Sequence, residues 1–172
     1  MMEERHLKKL IEDIVIENKE NYYRLAYSYV KNSDDALDII QESIYKAIVS
    51  MESLKNPKYI KTWFYRIVVN TSLDFLRKHK RVDVVEQEII ERYIPSDKDK
   101  YENIDLRRAL DDLPHDYRSI IILRYFEDLK IEEVADVLNQ NVNTVKTRLY
   151  RALKMLRLKM DDGLEAINYA RY

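Results

Sequence analysis

Apolar residues recur along this chain at spacings of three and four, the period of an α-helix with one buried face. Leu7, Leu10, Ile11 and Ile14 begin the first such pattern, and Tyr22 to Val30 forms a second that is dense in tyrosine. After Asn32-Ser33, a capping pair, a heptad-like seam runs through Leu37, Ile40, Ile44, Ala47, Ile48 and Met51. A fourth pattern spans Thr62 to Arg81. From Ile131 to Met160 two helical patterns are broken only by Asn139-Gln140-Asn141. Val134, Ala135 and Leu138 supply the apolar positions of the first. Asn139 suits the residue after a helix end, because asparagine tolerates the left-handed conformation better than most residues. Asn141 suits the N-cap of the next helix. In that helix Val145, Leu149, Ala152 and Leu156 share one face. Asn143, Lys146, Thr147, Tyr150 and Lys154 share the opposite one, with Arg151 at its edge. Such an arrangement predicts a helix-turn-helix, with an apolar face to pack and a polar arc to meet a DNA groove.

Composition narrows the fold. With 1 Gly and 3 Pro in 172 residues there is little material for the turns of a sheet, so the expected class is all-α. The length allows one domain or two small ones. A net charge of −1 conceals strong segregation. Between Lys61 and Arg81 the bases Lys61, Arg66, Arg77, Lys78, Lys80 and Arg81 face one acid, Asp74. Between Val82 and Asp105 the balance is reversed by Asp83, Glu86, Glu88, Glu91, Asp97, Asp99, Glu102 and Asp105. That acidic stretch contains Pro95-Ser96-Asp97 and no sustained period, although a short helix is allowed near Asp83 to Tyr93. The expected organisation is therefore two small helical domains joined by a flexible acidic linker: 1–81, a linker over 82–104, a helix-turn-helix domain over 105–160, and a short tail over 161–172.

Several kinds of chemistry are excluded or disfavoured. The absence of cysteine rules out disulfides, cysteine-ligated zinc and a cysteine nucleophile. There is no P-loop, no paired histidine on one helix and no nucleophile beside a base, so neither an enzyme nor a cofactor is expected. The charged N-terminus and the lack of an apolar run of membrane-spanning length predict a cytoplasmic protein. Opposite the Leu37–Met51 seam lie Asp35, Asp38, Gln41, Glu42 and Tyr45. Without a nearby histidine this carboxylate-rich face is a poor metal site, and none is expected. Charge alone does not separate a solvated face from one that docks on a basic partner. On the Thr62–Arg81 helix, composition favours Trp63, Phe64 and Tyr65 as core, whereas aromatics interleaved with bases also suit single-stranded nucleic acid. Asn70, an amide among Val68, Val69 and Thr71, suits either a base or an internal contact.

Taken together, these segments resemble the extracytoplasmic-function group of bacterial RNA polymerase sigma factors. D-D-A-L-D-I-I-Q-E-S (Asp34 to Ser43) resembles the family's D-A-x-D-x-x-Q-E helix, and T-W-F-Y-R-I-V-V-N-T-S-L-D-F-L-R-K (Thr62 to Lys78) its T-W-L-Y-R-I-A-x-N-x-x-x-D-x-L-R. Ala109 to Leu129 is similar to its lead-in, and T-V-K-T-R-L-Y-R-A (Thr144 to Ala152) to its recognition helix. The resemblance covers about Tyr22 to Met160. It implies a specificity subunit that binds RNA polymerase core, through the β′ clamp helices and the β subunit, and directs initiation at promoter DNA. By the same resemblance Asp35, Asp38, Gln41 and Glu42 form the polymerase-binding face. Trp63, Tyr65, Arg66, Asn70, Arg77, Lys78 and Arg81, with the loop Ser53 to Ile60, read and melt the −10 element. Asn143, Lys146, Thr147, Tyr150, Arg151 and Lys154 read the −35 element. An inhibitory anti-sigma factor, often membrane-anchored in this group, is a further implied partner.

The chain departs from the family pattern at the turn. Asn139 stands where Gly is common, and Asn141 and Asn143 where Pro and Gly are common. Asparagine can serve the turn and the cap, so the fold is expected to persist, while Asn143 puts a bulkier polar group at the start of the recognition helix. Two other readings compete: a dimeric helix-turn-helix regulator that acts without polymerase, and an all-helical adaptor that binds only proteins. A dimerisation domain needs neither an acidic face nor an aromatic-basic helix.

Overall fold

The computed structural model describes residues 2–80 and 102–169, and the side chains of 4–79 and 106–160. Every regular element among the described residues is helical, and the chain divides into two compact units. In the N-terminal unit α1 (Met2–Glu17) and α2 (Lys19–Val30) are parted at Asn18, whose side-chain amide donates to the Ile14 carbonyl at 3.0 Å. Lys31 ends α2 in the left-handed conformation, φ 54°, with its N–H on the Tyr27 carbonyl at 2.8 Å. Asn32 then caps α3 (Ser33–Val49): its Oδ1 accepts from the Asp35 N–H at 3.0 Å, and Asp34 and Asp35 suit the positive end of the helix dipole. Two short 3₁₀ turns, Met51–Ser53 and Pro57–Tyr59, lead into α4 (Ile60–Lys80).

Helices α2, α3 and α4 pack on one another. At the centre of this unit Tyr22 meets Phe64 and Tyr65 edge-on, with ring centroids 4.6 and 4.8 Å apart. Leu25, Ile39, Val68 and Val69 are buried in the same unit. Edge-to-face pairs add about 0.5–1.5 kcal/mol each beyond the burial of their rings.

The seam expected on α3 needs correction. Its buried positions are Ala36, Ile39, Ser43 and Ala47, while Leu37 is 49% exposed and Ile40, Ile44 and Ile48 flank the core half-buried. Small side chains let the neighbouring helices approach, so the packed line follows size more closely than hydrophobicity. Ser43 is tolerated there because its hydroxyl donates to the Ile39 carbonyl at 2.6 Å, leaving no unpaired polar group.

The C-terminal unit contains α5 (Glu102–Asp111), α6 (His115–Ile121), a five-residue π-helical turn (Ile122–Phe126) and α8 (Val142–Tyr169), together with the first residues of α7 (Ile131–Leu138), whose part from Ala135 on is grouped with the other unit. Leu110, Leu113, Ile121 and Ala152 form its core, flanked by Leu106, Tyr117, Leu149, Met155 and Leu156. Val145 is also fully buried, so the apolar face expected on the second helix of the motif is the face that packs.

Residues 81–101, which hold Arg81, most of the expected linker and the Asp83–Tyr93 stretch, lie outside the described residues. Helix α5 begins at Glu102, within the 82–104 span assigned to the linker, and α8 runs on to Tyr169, through most of the expected tail.

Candidate nucleic-acid and protein interfaces

The turn between α7 and α8 has the chemistry its asparagines imply. Asn139 is left-handed, φ 51°, with its N–H on the Asp136 carbonyl at 3.2 Å, and the Gln140 N–H reaches the Ala135 carbonyl at 2.9 Å. These two bonds make the Schellman closure usually built on glycine. Asn141 Oδ1 accepts from the Asn143 N–H at 2.8 Å, and the Asn141 carbonyl accepts from Val145 at 3.0 Å, which starts α8.

The bases of α8 separate by face. Arg148 pairs with Asp116 at 3.7 Å and Lys159 with Asp112 at 3.4 Å, so both bind acids of their own unit. Lys146, Arg151 and Lys154 are exposed and make no ion pair among the described residues. Asn143, Thr147 and Tyr150 are exposed beside them, Tyr150 by 72%. The Thr147 hydroxyl donates to the Asn143 carbonyl at 3.0 Å, so its hydrogen is already committed to the helix backbone. All six residues expected on this arc are thus accessible.

On α4 the expected residues do not stay together. Arg66, Asn70, Arg77 and Lys78 are exposed and Trp63 is half-buried, all along one outward arc. Tyr65 is 0% exposed, held edge-on to Tyr22 and covered by Lys61, whose Nζ lies 5.9 Å from the ring centroid. The expectation that Tyr65 meets DNA is therefore corrected: its ring is core, with no face free for a base. Helical arithmetic explains this, because Tyr65 lies about 200° around the helix from Trp63. Tyr59, which sequence reasoning did not single out, is an exposed aromatic near the start of the same helix. It is 61% exposed, in a loop with exposed Lys55 and Lys58, and Asn56 Oδ1 holds that loop by accepting from the Lys58 N–H at 3.0 Å. The loop has no hydrophobic period, so only a positive-charge and aromatic signal was there to find.

The outward face of α3 presents Asp38, Gln41 and Glu42 exposed, with Asp35 half-buried near the cap. Three apolar residues lie among them: Tyr45 (65% exposed), expected on this face from the sequence, and Leu37 and Val49, which were not. This makes the face mixed acidic and apolar, a composition suited to a protein partner more than to water alone. Lys46 ties the rim of the face to α4: its ammonium lies 3.6 Å from Glu42, 3.7 Å from Asp74 and 3.3 Å from the Thr71 hydroxyl. Asp74 in turn pairs with Arg77 at 3.1 Å. No group of three or more metal-ligating side chains is found among the described residues, and no helix there is long and apolar enough to cross a membrane.

Comparison with known proteins agrees with the two-unit layout. Residues 14–82 match the family model described as Sigma-70 region 2, and residues 103–156 match Sigma-70, region 4. The chain is 52% identical over 160 residues to RNA polymerase sigma factor SigV of Bacillus subtilis, an alignment covering 93% of this chain and 96% of that one. It is 33% identical over 167 residues to the ECF RNA polymerase sigma factor SigW of the same organism, covering 87% and 88%. In fold it is similar to the sigma factor RpoE solved with the anti-sigma factor NepR from Bartonella quintana, with a TM-score of 0.76 at 24% identity over 87% of this chain and 96% of that one. It is also similar to CnrH solved with the cytosolic domain of CnrY, with a TM-score of 0.61 at 21% identity, covering 91% and 88%.

Proposed function

The chain belongs to the extracytoplasmic-function group of RNA polymerase sigma factors, and from that premise we propose how its residues divide the work of promoter recognition. The protein directs polymerase to promoters and is not itself a catalyst; bond formation stays with the polymerase core. The α3 face docks on the β′ clamp helices. Asp38, Gln41 and Glu42, with Asp35 near the cap, provide charge and hydrogen bonds, and Leu37, Tyr45 and Val49 provide apolar area. The outward arc of α4 receives the −10 element. Trp63 and Tyr59 offer rings for stacking, Asn70 offers an amide to a flipped base, and Arg66, Arg77 and Lys78, with Arg81 beyond them, hold phosphates. The arc of α8 from Asn143 to Lys154 lies in the major groove of the −35 element.

The observation that carries this reading is the outward arc of α4. Trp63, Arg66, Asn70 and Arg77 line up opposite a core that buries Phe64, Tyr65 and Val68, so the helix offers an amide, a ring and cations to one ligand without loosening the unit. Flipping a base costs a few kcal/mol, which the polymerase contacts and base pocket must offset. Each unit alone covers little DNA, so tight binding comes from tethering both units to one polymerase, which raises their effective concentration. The free chain binds promoters weakly.

The protein works in the cytoplasm beside its polymerase. Its second protein partner is an anti-sigma factor, membrane-anchored as in many members of the group, which covers the same surfaces; the solved structures of RpoE with the anti-sigma factor NepR and of CnrH with the cytosolic domain of CnrY support this reading. The test is transcription by polymerase core reconstituted with this chain, with transcripts mapped on genomic DNA. Asn70→Ala is expected to impair opening or change −10 preference with folding retained, and Lys146→Ala or Arg151→Ala to weaken use of −35-dependent promoters. Unchanged promoter-specific transcription in all three variants would sink the assignments.

A further inference from the structure

Asn143 is the second residue of α8, and both of its backbone polar groups are already engaged. Its N–H is held by Asn141 Oδ1 at 2.8 Å and its carbonyl accepts the Thr147 hydroxyl at 3.0 Å. Only its side-chain amide remains to make an outside contact, and the residue is exposed. It shares an arc with Lys146, Thr147, Tyr150 and Lys154, the arc whose exposed cations have no acid to pair with among the described residues. It lies at the N-terminal end of the helix, where groove-bound helices bring side chains closest to base edges.

A primary amide presents one acceptor and one donor side by side. In the major groove the complementary pair belongs to adenine, whose N6 amino group donates and whose N7 accepts. A phosphate would use only the donor half, and the nearby cations Lys146 and Arg151 serve that role better. We infer that Asn143 is a specificity-determining residue that reads one adenine of the −35 element through a bidentate amide contact. The cap from Asn141 and the bond from Thr147 hold the turn of helix that aims it.

This inference rests on the −35 reading of α8 given above, and its test distinguishes the two. Holoenzyme reconstituted with the full chain is assayed on a promoter library in which each upstream position carries every base. The wild-type chain is expected to prefer adenine at one position by about 5- to 150-fold, the worth of one good bidentate pair. Asn143→Ala, which favours helix and so does not threaten folding, is expected to erase the preference at that position and leave the others intact. Asn143→Asp keeps an acceptor, loses the donor and suits a helix start; it is expected to move the preference from adenine to cytosine, whose N4 only donates. A uniform loss across all sequences, an unchanged profile, or adenine preference retained in Asn143→Asp would each overturn the inference while leaving the −35 reading in place. A wild-type holoenzyme indifferent to every upstream position would overturn the reading and the inference together.

Discussion

Helices α4 and α8 both present a polar arc opposite a buried face, yet they depend on that buried face differently. Helix α4 is structural first. Phe64, Tyr65, Val68 and Val69 supply much of the core of the N-terminal unit, and Tyr22 interlocks two of those rings. Its polar arc is partly engaged within the unit, with Arg77 on Asp74 and Asp74 on Lys46. Helix α8 contributes Val145 and Ala152 to burial, and its outward cations Lys146, Arg151 and Lys154 have no acid partner among the described residues. A helix that must hold base pockets in fixed geometry is built into a core. A helix that must settle into a groove by charge needs its cations free. The difference fits the proposed division, in which one unit melts DNA and the other positions the polymerase.

Substitutions can break this contrast. The largest effect is expected from Tyr65→Ala, which removes a fully buried ring and should cost about 3–5 kcal/mol, read as a lower denaturation midpoint. Tyr59→Ala, on the exposed loop, should leave the midpoint unchanged and reduce promoter opening; equal stability for the two variants would undo the division between core and ligand-facing aromatics. Next comes the cap. Asn141→Ala should destabilise the start of α8 by about 0.5–2 kcal/mol, measured as faster amide exchange there. A smaller and different signature is expected for Arg151→Ala in the holoenzyme: weaker use of promoters that depend on the −35 element, with the salt slope of binding reduced by about one. If Arg77→Ala gives a slope change as large, the ion pair with Asp74 does not restrain that residue and the contrast between helices narrows. The smallest effect is expected for Lys46→Ala, since half-exposed ion pairs contribute about 0–1 kcal/mol; thermal denaturation should barely move.

How legible each part was follows from what decides it. The turn and α8 were readable because their signals are local: a left-handed asparagine, a capping asparagine and one unbroken period. The packed line of α3 was misread, apart from Ala47, because close approach by neighbouring helices selects Ala36 and Ser43, small residues that hydrophobicity ranks below Leu37. Composition favours Tyr65 as core, as it is found, and only the family resemblance assigns it to DNA; the helical period turns it away from Trp63. Tyr59 lies in a loop with no period to mark it, and its exposure is known only once Asn56 and Ile60 fix the loop's path. The link from Lys46 to Asp74 joins residues distant in sequence, and no local pattern encodes it.

The π-helical turn at Ile122–Phe126 has an evolutionary consequence. Its closing bond runs from the Glu127 N–H to the Ile122 carbonyl at 3.0 Å, one residue wider than an α-helical turn. Such a turn is an α-helix carrying one inserted residue. Tyr125 and Phe126 bulge to solvent while Glu127 returns inward. The segment is therefore expected to absorb a change of one residue in chain length without re-registering the helices on either side. Deletion of Tyr125 should regularise the turn rather than unravel it, so length variation among relatives is expected to concentrate here, and not within α4 or the first turns of α8.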